Sequence, residues 1–301
     1  MKKISFLLVL GFCLMIAASG AMTIAENSGR SASPSQSPSA SPTPKFSPAK
    51  LDLQIGEKHV YEISWKNISA GLGTMHVASK ETDEDGQHYV IKITAESSKL
   101  VSLIYKVEDL FVSKLDVKKG FSKVFERHMH EGKSFREETI TYDYAEKVAK
   151  YVSQKDPKQK AKEYTKPLTG YVLDPLGAVF YLRSIDIKSG DTIRIPMHSS
   201  DEDWTLKLDC VGIVGLRVPG IGKFNAWKLK PEAKNDALFT TKGAMTVWLE
   251  KTTKVVLRAE VDIPIGSIVI RLIRAENSPL ETVNREEKRR RWIRPGTKEI
   301  P

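Results

Sequence analysis

The side chains here that could do chemistry are six histidines, a cysteine at position 210 and a few acidic clusters. Histidine comes first, because its ordinary pKa lets it trade protons near neutrality. His128 and His130 stand two apart, so on a strand they share a face and could chelate a metal. Only Glu126 stands near them as a further ligand, and two exposed histidines on a strand are the simpler reading. No helical His-Glu-x-x-His pattern and no paired-cysteine spacing occurs. Cys210 follows Asp209, whose carboxylate would raise the thiol pKa and not activate it, so Cys210 reads as structural. There is no Gly-x-Ser-x-Gly elbow. Gly212, Gly215, Gly220 and Gly222 are not followed by a helix signal or a Gly-Lys-Ser/Thr ending, and fit turns or a bulge better than a phosphate loop. Asp83-Glu84-Asp85-Gly86 lacks the downstream ligands of a calcium loop and reads as a hairpin turn. Asp201-Glu202-Asp203 reads as surface charge before a strand. These observations predict a protein that is not an enzyme and needs no cofactor and no metal. One enzymatic reading remains, a hydrolase that pairs His128 or His198 with an acid distant in sequence.

The elements that would hold such residues are mostly strands. Alternation of period two recurs at Tyr61/Ile63/Trp65, Tyr89/Ile91/Ile93/Ala95, Trp204/Leu206/Leu208, Met245/Val247/Leu249 and Ile268/Ile270/Leu272. Turn signals separate the runs at Gly86, Gly120, Gly132, Gly190 and Gly220. Residues 139–151 read as two strands joined around Ala145-Glu146. Residues 154–166 are polar and lysine-rich and read as a loop. One segment breaks the rhythm. Asp174-Pro175 followed by Leu176, Val179, Phe180 and Arg183 has an N-cap, a proline suited to the first turn and an apolar face. The predicted fold is mostly β: a large antiparallel rolled sheet or open, β-spiral-like barrel with a short helix packed on it.

The ends differ from this body in composition. Met1-Lys2-Lys3 and the apolar run to Ala18 match a secretory signal peptide, too short to span a bilayer comfortably. Small residues allow cleavage after Ala21 or Ala25; a retained anchor is the alternative. Cys13 sits in a poor lipobox, because Phe12 precedes it, and reads as part of the apolar run. The divisions are a signal peptide at 1–25, a Ser/Pro-rich disordered linker at 26–50, a β-roll domain at 51–276 and a basic tail at 277–301. The linker composition cannot offset its ordering entropy and favours an extended form. From Asn284 onward the tail has seven basic residues against three acidic, against a whole-chain net charge of +10. Arg289, Arg290, Arg291, Trp292 and Arg294 form its dense part. It could meet an anionic membrane or cell-wall surface, or be a solvated terminus. Export removes the protein from nucleic acid. Outside the signal, a lone cysteine cannot form an internal disulfide, so the fold rests on its apolar core.

Several phrases in order resemble one exported bacterial family, that of domain of unknown function 3108. They are Ile55-Gly56-Glu57 leading to Tyr61-Glu62-Ile63-Ser64-Trp65; Ala70-Gly71-Leu72-Gly73; Tyr105-Lys106-Val107-Glu108-Asp109; Leu173-Asp174-Pro175-Leu176-Gly177-Ala178 running to Tyr181-Leu182-Arg183; Val247-Trp248-Leu249; and Pro264-Ile265-Gly266-Ser267. The Asp-Pro-Leu segment with its Tyr-Leu-Arg ending is the most specific. Family members often carry Ser where this chain has Gly177. The resemblance implies a rolled or spiral β-sheet of the periplasmic envelope type, some of which hold lipid or acyl chains against a helix. It implies no catalytic residues.

Together these readings predict a non-catalytic periplasmic protein of envelope assembly or integrity that binds a lipid-like ligand or an envelope partner. The alternative is a structural interaction module held to anionic surfaces by its tail. Tyr61, Trp65, Tyr105, Asp174, Arg183 and Trp248 are the body's candidate ligand or structural residues. Asp174 is expected to cap the helix. Arg183 is expected to pair with a carboxylate such as Asp109 and lock the helix to the sheet.

Overall fold

The computed structural model describes residues 46–199, 201–232, 245–263 and 266–283. Its strands are β1 (Lys58–Trp65), β2 (Ile68–Asp83), β3 (Gly86–Ser97), β4 (Val107–Asp116), β5 (Ser122–Glu131), β6 (Ser134–Asp143), β7 (Val148–Gln154), β8 (Lys162–Pro167), β9 (Thr192–Ser199), β10 (Glu202–Val218), β11 (Gly222–Pro231), β12 (Met245–Glu250), β13 (Val256–Ile263) and β14 (Gly266–Glu276). A single turn of helix, α1 (Lys99–Ser102), joins β3 to β4, and α2 (Pro175–Tyr181) with a 3-10 turn (Leu182–Ser184) lies between β8 and β9. Among the described residues no helix is long and apolar enough to cross a membrane.

All fourteen strands form one antiparallel sheet in the order β8-β7-β6-β5-β4-β3-β2-β1-β14-β13-β12-β11-β10-β9. Every neighbour but one is the next strand along the chain, because short hairpins favour antiparallel pairing. The exception is β1 against β14, which joins the beginning of the domain to its end. The free edges are therefore β8 and β9, two strands consecutive in sequence, and the sheet is an open roll and not a closed barrel. The connection between them carries α2 across the opening. Its Leu173 pairs in parallel with Met197 of β9, while the Val172 carbonyl accepts the Ser122 amide of β5.

Local chemistry explains the turns. Lys66 and Asn67 both have positive φ, 47° and 64°, so β1 and β2 are joined by the two-residue turn whose twist matches the strands. Pro196 is tolerated in β9 because that strand is an edge; its carbonyl still accepts the Leu173 amide at 3.0 Å. The inward rows expected from alternation form one continuous core. Tyr61, Ile63, Ile91, Ile93, Phe111, Ile140, Leu249, Ile268, Ile270 and Leu272 are all buried in it with Leu173 and Leu176. Phe46 and Leu280 are buried there too, so the folded body reaches slightly beyond 51–276 on both sides. One reading needs correction: Lys162–Pro167 is strand β8 and not loop. Cys210 lies within β10, beside the bulge at Gly212.

Candidate functional site

Two groups of buried polar side chains lie where the crossover from β8 to β9 meets the sheet. The first is the seat of α2. Asp174 is fully buried and accepts four hydrogen bonds: the Leu176 and Gly177 amides on Oδ1, both at 2.8 Å, and the Ser113 and Ser122 hydroxyls on Oδ2, both at 2.6 Å. Ser122 Oγ in turn accepts the Asp174 amide at 2.8 Å. Burial pushes the Asp174 carboxyl above its ordinary value, against these four bonds, which pull it down. Asp174 is thus the expected cap, and it also ties the helix start to β4 and β5.

At the other end of the helix Arg183 grips Glu57, Nη1 to Oε1 at 2.7 Å and Nη2 to Oε2 at 3.0 Å. This corrects the expected pairing with Asp109. Asp109 sits near the start of β4, where its Oδ1 accepts the His130 amide at 3.0 Å. Arg183 follows α2 at the opposite end of the roll, beside the chain entering β1. His59 lies behind this pair, its Nε2 2.7 Å from Ser278 Oγ and 3.4 Å from Glu57. Burial, with the Arg183 charge, lowers its pKa to about 3. Tyr61 is buried close by and donates to the Val256 carbonyl at 3.1 Å; burial pushes its phenol up.

The second junction is the seam between the free edges. His198 of β9 is fully buried, with Nδ1 2.5 Å from Asp203 Oδ1 and Nε2 2.7 Å from the Tyr151 hydroxyl of β7. The carboxylate requires the proton on Nδ1, so Nε2 is the acceptor and Tyr151 donates to it. Asp203 Oδ2 also accepts the Thr169 amide and hydroxyl, at 2.6 and 2.7 Å. Burial pushes Asp203 up, but the His198 and Thr169 bonds outweigh it and hold the carboxyl below its usual range. Tyr164 of β8 reaches Asp201 at 3.2 Å and stacks on Tyr151.

This Asp-His-Tyr chain has the connectivity of a proton relay, but its last member is a buried phenol whose pKa burial raises. A hydroxyl of that kind is a poor nucleophile. The sequence hid the chain because its members come from β7, β9 and β10. The only local signal was Asp203 placed five residues after His198, across a hairpin.

The remaining candidates do not converge. Tyr61 and Arg183 share one junction and Asp174 sits at the other end of the same helix. Trp65 and Tyr105 lie at the opposite end of the roll. Trp248 sits between the charged groups of Lys228 and Arg258 on neighbouring strands, 5.9 and 5.3 Å from its ring centre. His128 and His130 both reach Glu137, His130 at 3.0 Å. Among the described residues no group of three or more ligand-type side chains has a metal-holding arrangement. Sequence reading also missed a buried ion pair, Arg127 to Glu138, on the inward face of β5 and β6. The tail residues Arg289, Arg290, Arg291, Trp292 and Arg294 lie outside the described residues.

Residues 60–273, nearly the whole roll, match the family described as Protein of unknown function (DUF3108). The chain belongs to this family. A search of the curated proteins returns no relative. Solved structures with a similar arrangement include a β-barrel-like protein of domain of unknown function 1849 from Brucella abortus, 9% identical, with a TM-score of 0.47 over 76% of this chain and 98% of that one. Another is a Bacteroides fragilis protein with a YmcC-like fold, 12% identical, with a TM-score of 0.32 over 76% of this chain and 99% of that one.

Proposed function

We propose that this member of the family is a non-catalytic envelope protein, exported to the periplasm, that works in envelope assembly or integrity as a rigid interaction module. The observation that carries this reading is the use made of its buried polar groups. Asp174, Glu57 with Arg183, and His198 with Asp203 and Tyr151 are each engaged in fastening the crossover to the sheet. The group best suited to acid–base work, His198, is wholly shielded from solvent with both ring nitrogens occupied. Export rests on the lysine-led apolar run at the N-terminus.

The interior gives less support to a lipid-like ligand held under the helix. A methyl group added at Gly177, on the buried side of α2, would stand 2.8 Å from Leu115 and 3.2 Å from Leu173. The helix therefore sits on the inward rows at full contact, and partner binding at the surface is favoured over a ligand in that place.

Two measurements test the reading. Spheroplast fractionation of the native host is expected to release the protein with the periplasmic contents. Deletion of the gene is expected to sensitise cells to detergent, with rescue by His198→Gln. Cytosolic recovery overturns the envelope reading. A His198→Gln protein that folds to wild-type stability but does not rescue overturns the non-catalytic one.

A further inference from the structure

The end of the roll opposite α2 carries a group of apolar side chains that the core does not use. Leu100, Leu103 and Ile104, between β3 and β4, are 69%, 83% and 82% exposed, and Ile68, in the neighbouring β1–β2 hairpin, is 55% exposed. Apolar residues scattered singly on a surface need no explanation, but a contiguous group does. Here the segment is adjacent to the hairpin through backbone and side chain: the Ser98 amide donates to the Ala70 carbonyl at 2.8 Å and its hydroxyl to the Ser69 carbonyl at 3.4 Å.

The exposure is built into the backbone. The Ser97 hydroxyl accepts the Val107 amide at 2.9 Å and lies 2.7 Å from the Ser102 hydroxyl, closing the base of the lobe. The Tyr105 amide donates to Val101 at 2.7 Å, and the Gly132 amide to the Lys106 carbonyl at 2.8 Å. The Tyr105 ring lies against Gly132, where an added Cβ would stand 2.6 Å from it. These bonds fix the 98–106 segment in a form that turns its small hydroxyls inward and its large apolar groups to water.

Charge surrounds this lobe. Lys66, Lys99, Lys106 and Lys133 are all exposed on the three hairpin and helix connections at this end. The exposed acids nearby include Glu108, which pairs with Lys106 at 2.7 Å, and Glu96 on β3, while Asp109 and Glu131 at this end are buried. The other end of β2 carries the acidic turn Asp83-Glu84-Asp85. An apolar tip ringed by lysines, with acid at the far end of the same strand, complements an anionic lipid surface and sets an orientation on it.

The geometry points to the 98–106 lobe as a membrane-docking wedge. Leu100, Leu103, Ile104 and Ile68 enter the boundary between headgroups and acyl chains of an anionic bilayer, and the lysines meet the headgroup phosphates. This deepens the envelope reading above and rests on it, since the lobe must face a membrane to be used.

Cosedimentation of the full chain with vesicles of phosphatidylglycerol and phosphatidylethanolamine tests it, against vesicles of phosphatidylcholine alone. The wild type should bind the anionic vesicles. Leu103→Glu with Ile104→Glu should weaken binding roughly tenfold or more. Lys99→Glu with Lys106→Glu should abolish the preference for anionic lipid. Ile55→Glu, at an apolar site 54% exposed near the helix end, should bind as wild type. All variants share the basic tail, so its own attraction cancels in the comparison, and matching thermal melts show that they fold. Equal vesicle binding by the Leu103/Ile104 variant overturns the proposal. So does a dimer in sedimentation equilibrium that this variant splits, which would make a second copy the occupant. Cytosolic fractionation would sink the envelope reading while leaving the vesicle result intact, so the two failures are distinguishable.

Discussion

Arg183 and Glu57 are 126 positions apart and meet through two parallel hydrogen bonds, which clamp the end of α2 to the residue that leads into β1. Glu57 is 1% exposed, so its charge relies on this partner. Removing one member of a buried pair leaves the other uncompensated, at a cost of roughly 3 kcal/mol or more, whereas replacing both with groups of similar volume is close to neutral. Arg183→Ala should therefore lower the midpoint of urea unfolding substantially, and Glu57→Gln with Arg183→Met should recover most of the loss. A single variant as stable as wild type would show that the clamp is dispensable.

Gly177 stands in the first turn of α2 with its backbone pressed against the sheet. A Cβ at this position would lie 2.8 Å from Leu115 Cδ2 and 2.9 Å from Ser122 Oγ. Ser122 Oγ is itself bonded to Asp174, so it cannot give way without disturbing the cap. Gly177→Ser should destabilise by roughly 1–3 kcal/mol, the usual range for overpacking. If the clash is local, Leu115→Ala, which removes a fully buried side chain, should cost less in the Gly177→Ser background than in the wild type. Unfolding curves of the two single variants and the double variant decide it.

The strands announced themselves where each had a buried and an exposed face, as with Tyr61/Ile63 and Ile268/Ile270/Leu272, because burial of one face demands alternation. The helix was legible for a different reason: Asp174 and Pro175 are the residues a helix start requires. Strand β8 was not legible, because an edge strand can be polar throughout, and Lys162, Glu163 and Lys166 fill it as charges commonly guard sheet edges. The partners Glu57–Arg183 and His198–Tyr151 were hidden because the roll brings together strands far apart in sequence, which no local period records. The apolar lobe was hidden in a different way: Leu103 and Ile104 look like core residues in any window, and it is the bonds of Ser97, Ser98, Tyr105 and Gly132 that hold the segment with them outward.

Stability should fall on both sides of a mildly acidic optimum. Glu131 is buried beside Asp109, and burial, with the Asp109 charge, raises its pKa from 4.5 to about 8. The folded state therefore keeps a proton that the unfolded chain releases above about 4.5, and stability drops as pH rises from there to about 8. His59 behaves in the opposite sense. Its folded pKa is lowered from 6.5 to about 3, so the unfolded chain takes up a proton first as pH falls below 6.5, and stability drops through that window. Glu131→Gln should flatten the alkaline limb and His59→Gln the acid limb in urea midpoints taken across the range. If both variants keep the wild-type profile, other groups set the pH dependence.

At the seam, His198 touches both β7 and β10 through one side chain, by way of Tyr151 and Asp203. Tyr151→Phe removes the donor to Nε2 and leaves a buried acceptor unmatched, which costs about 1–3 kcal/mol. Asp203→Ala does more, since it orphans the His198 Nδ1 proton and both Thr169 groups at once. Both edges border solvent along part of their length, so the damage should be local before it is global. Amide hydrogen exchange in Asp203→Ala should accelerate in β8, β9 and residues 168–173, while β1 and β14, at the middle of the sheet, keep their protection. Acceleration spread evenly over all strands would mean that the seam does not open by itself and that the roll unfolds as one unit.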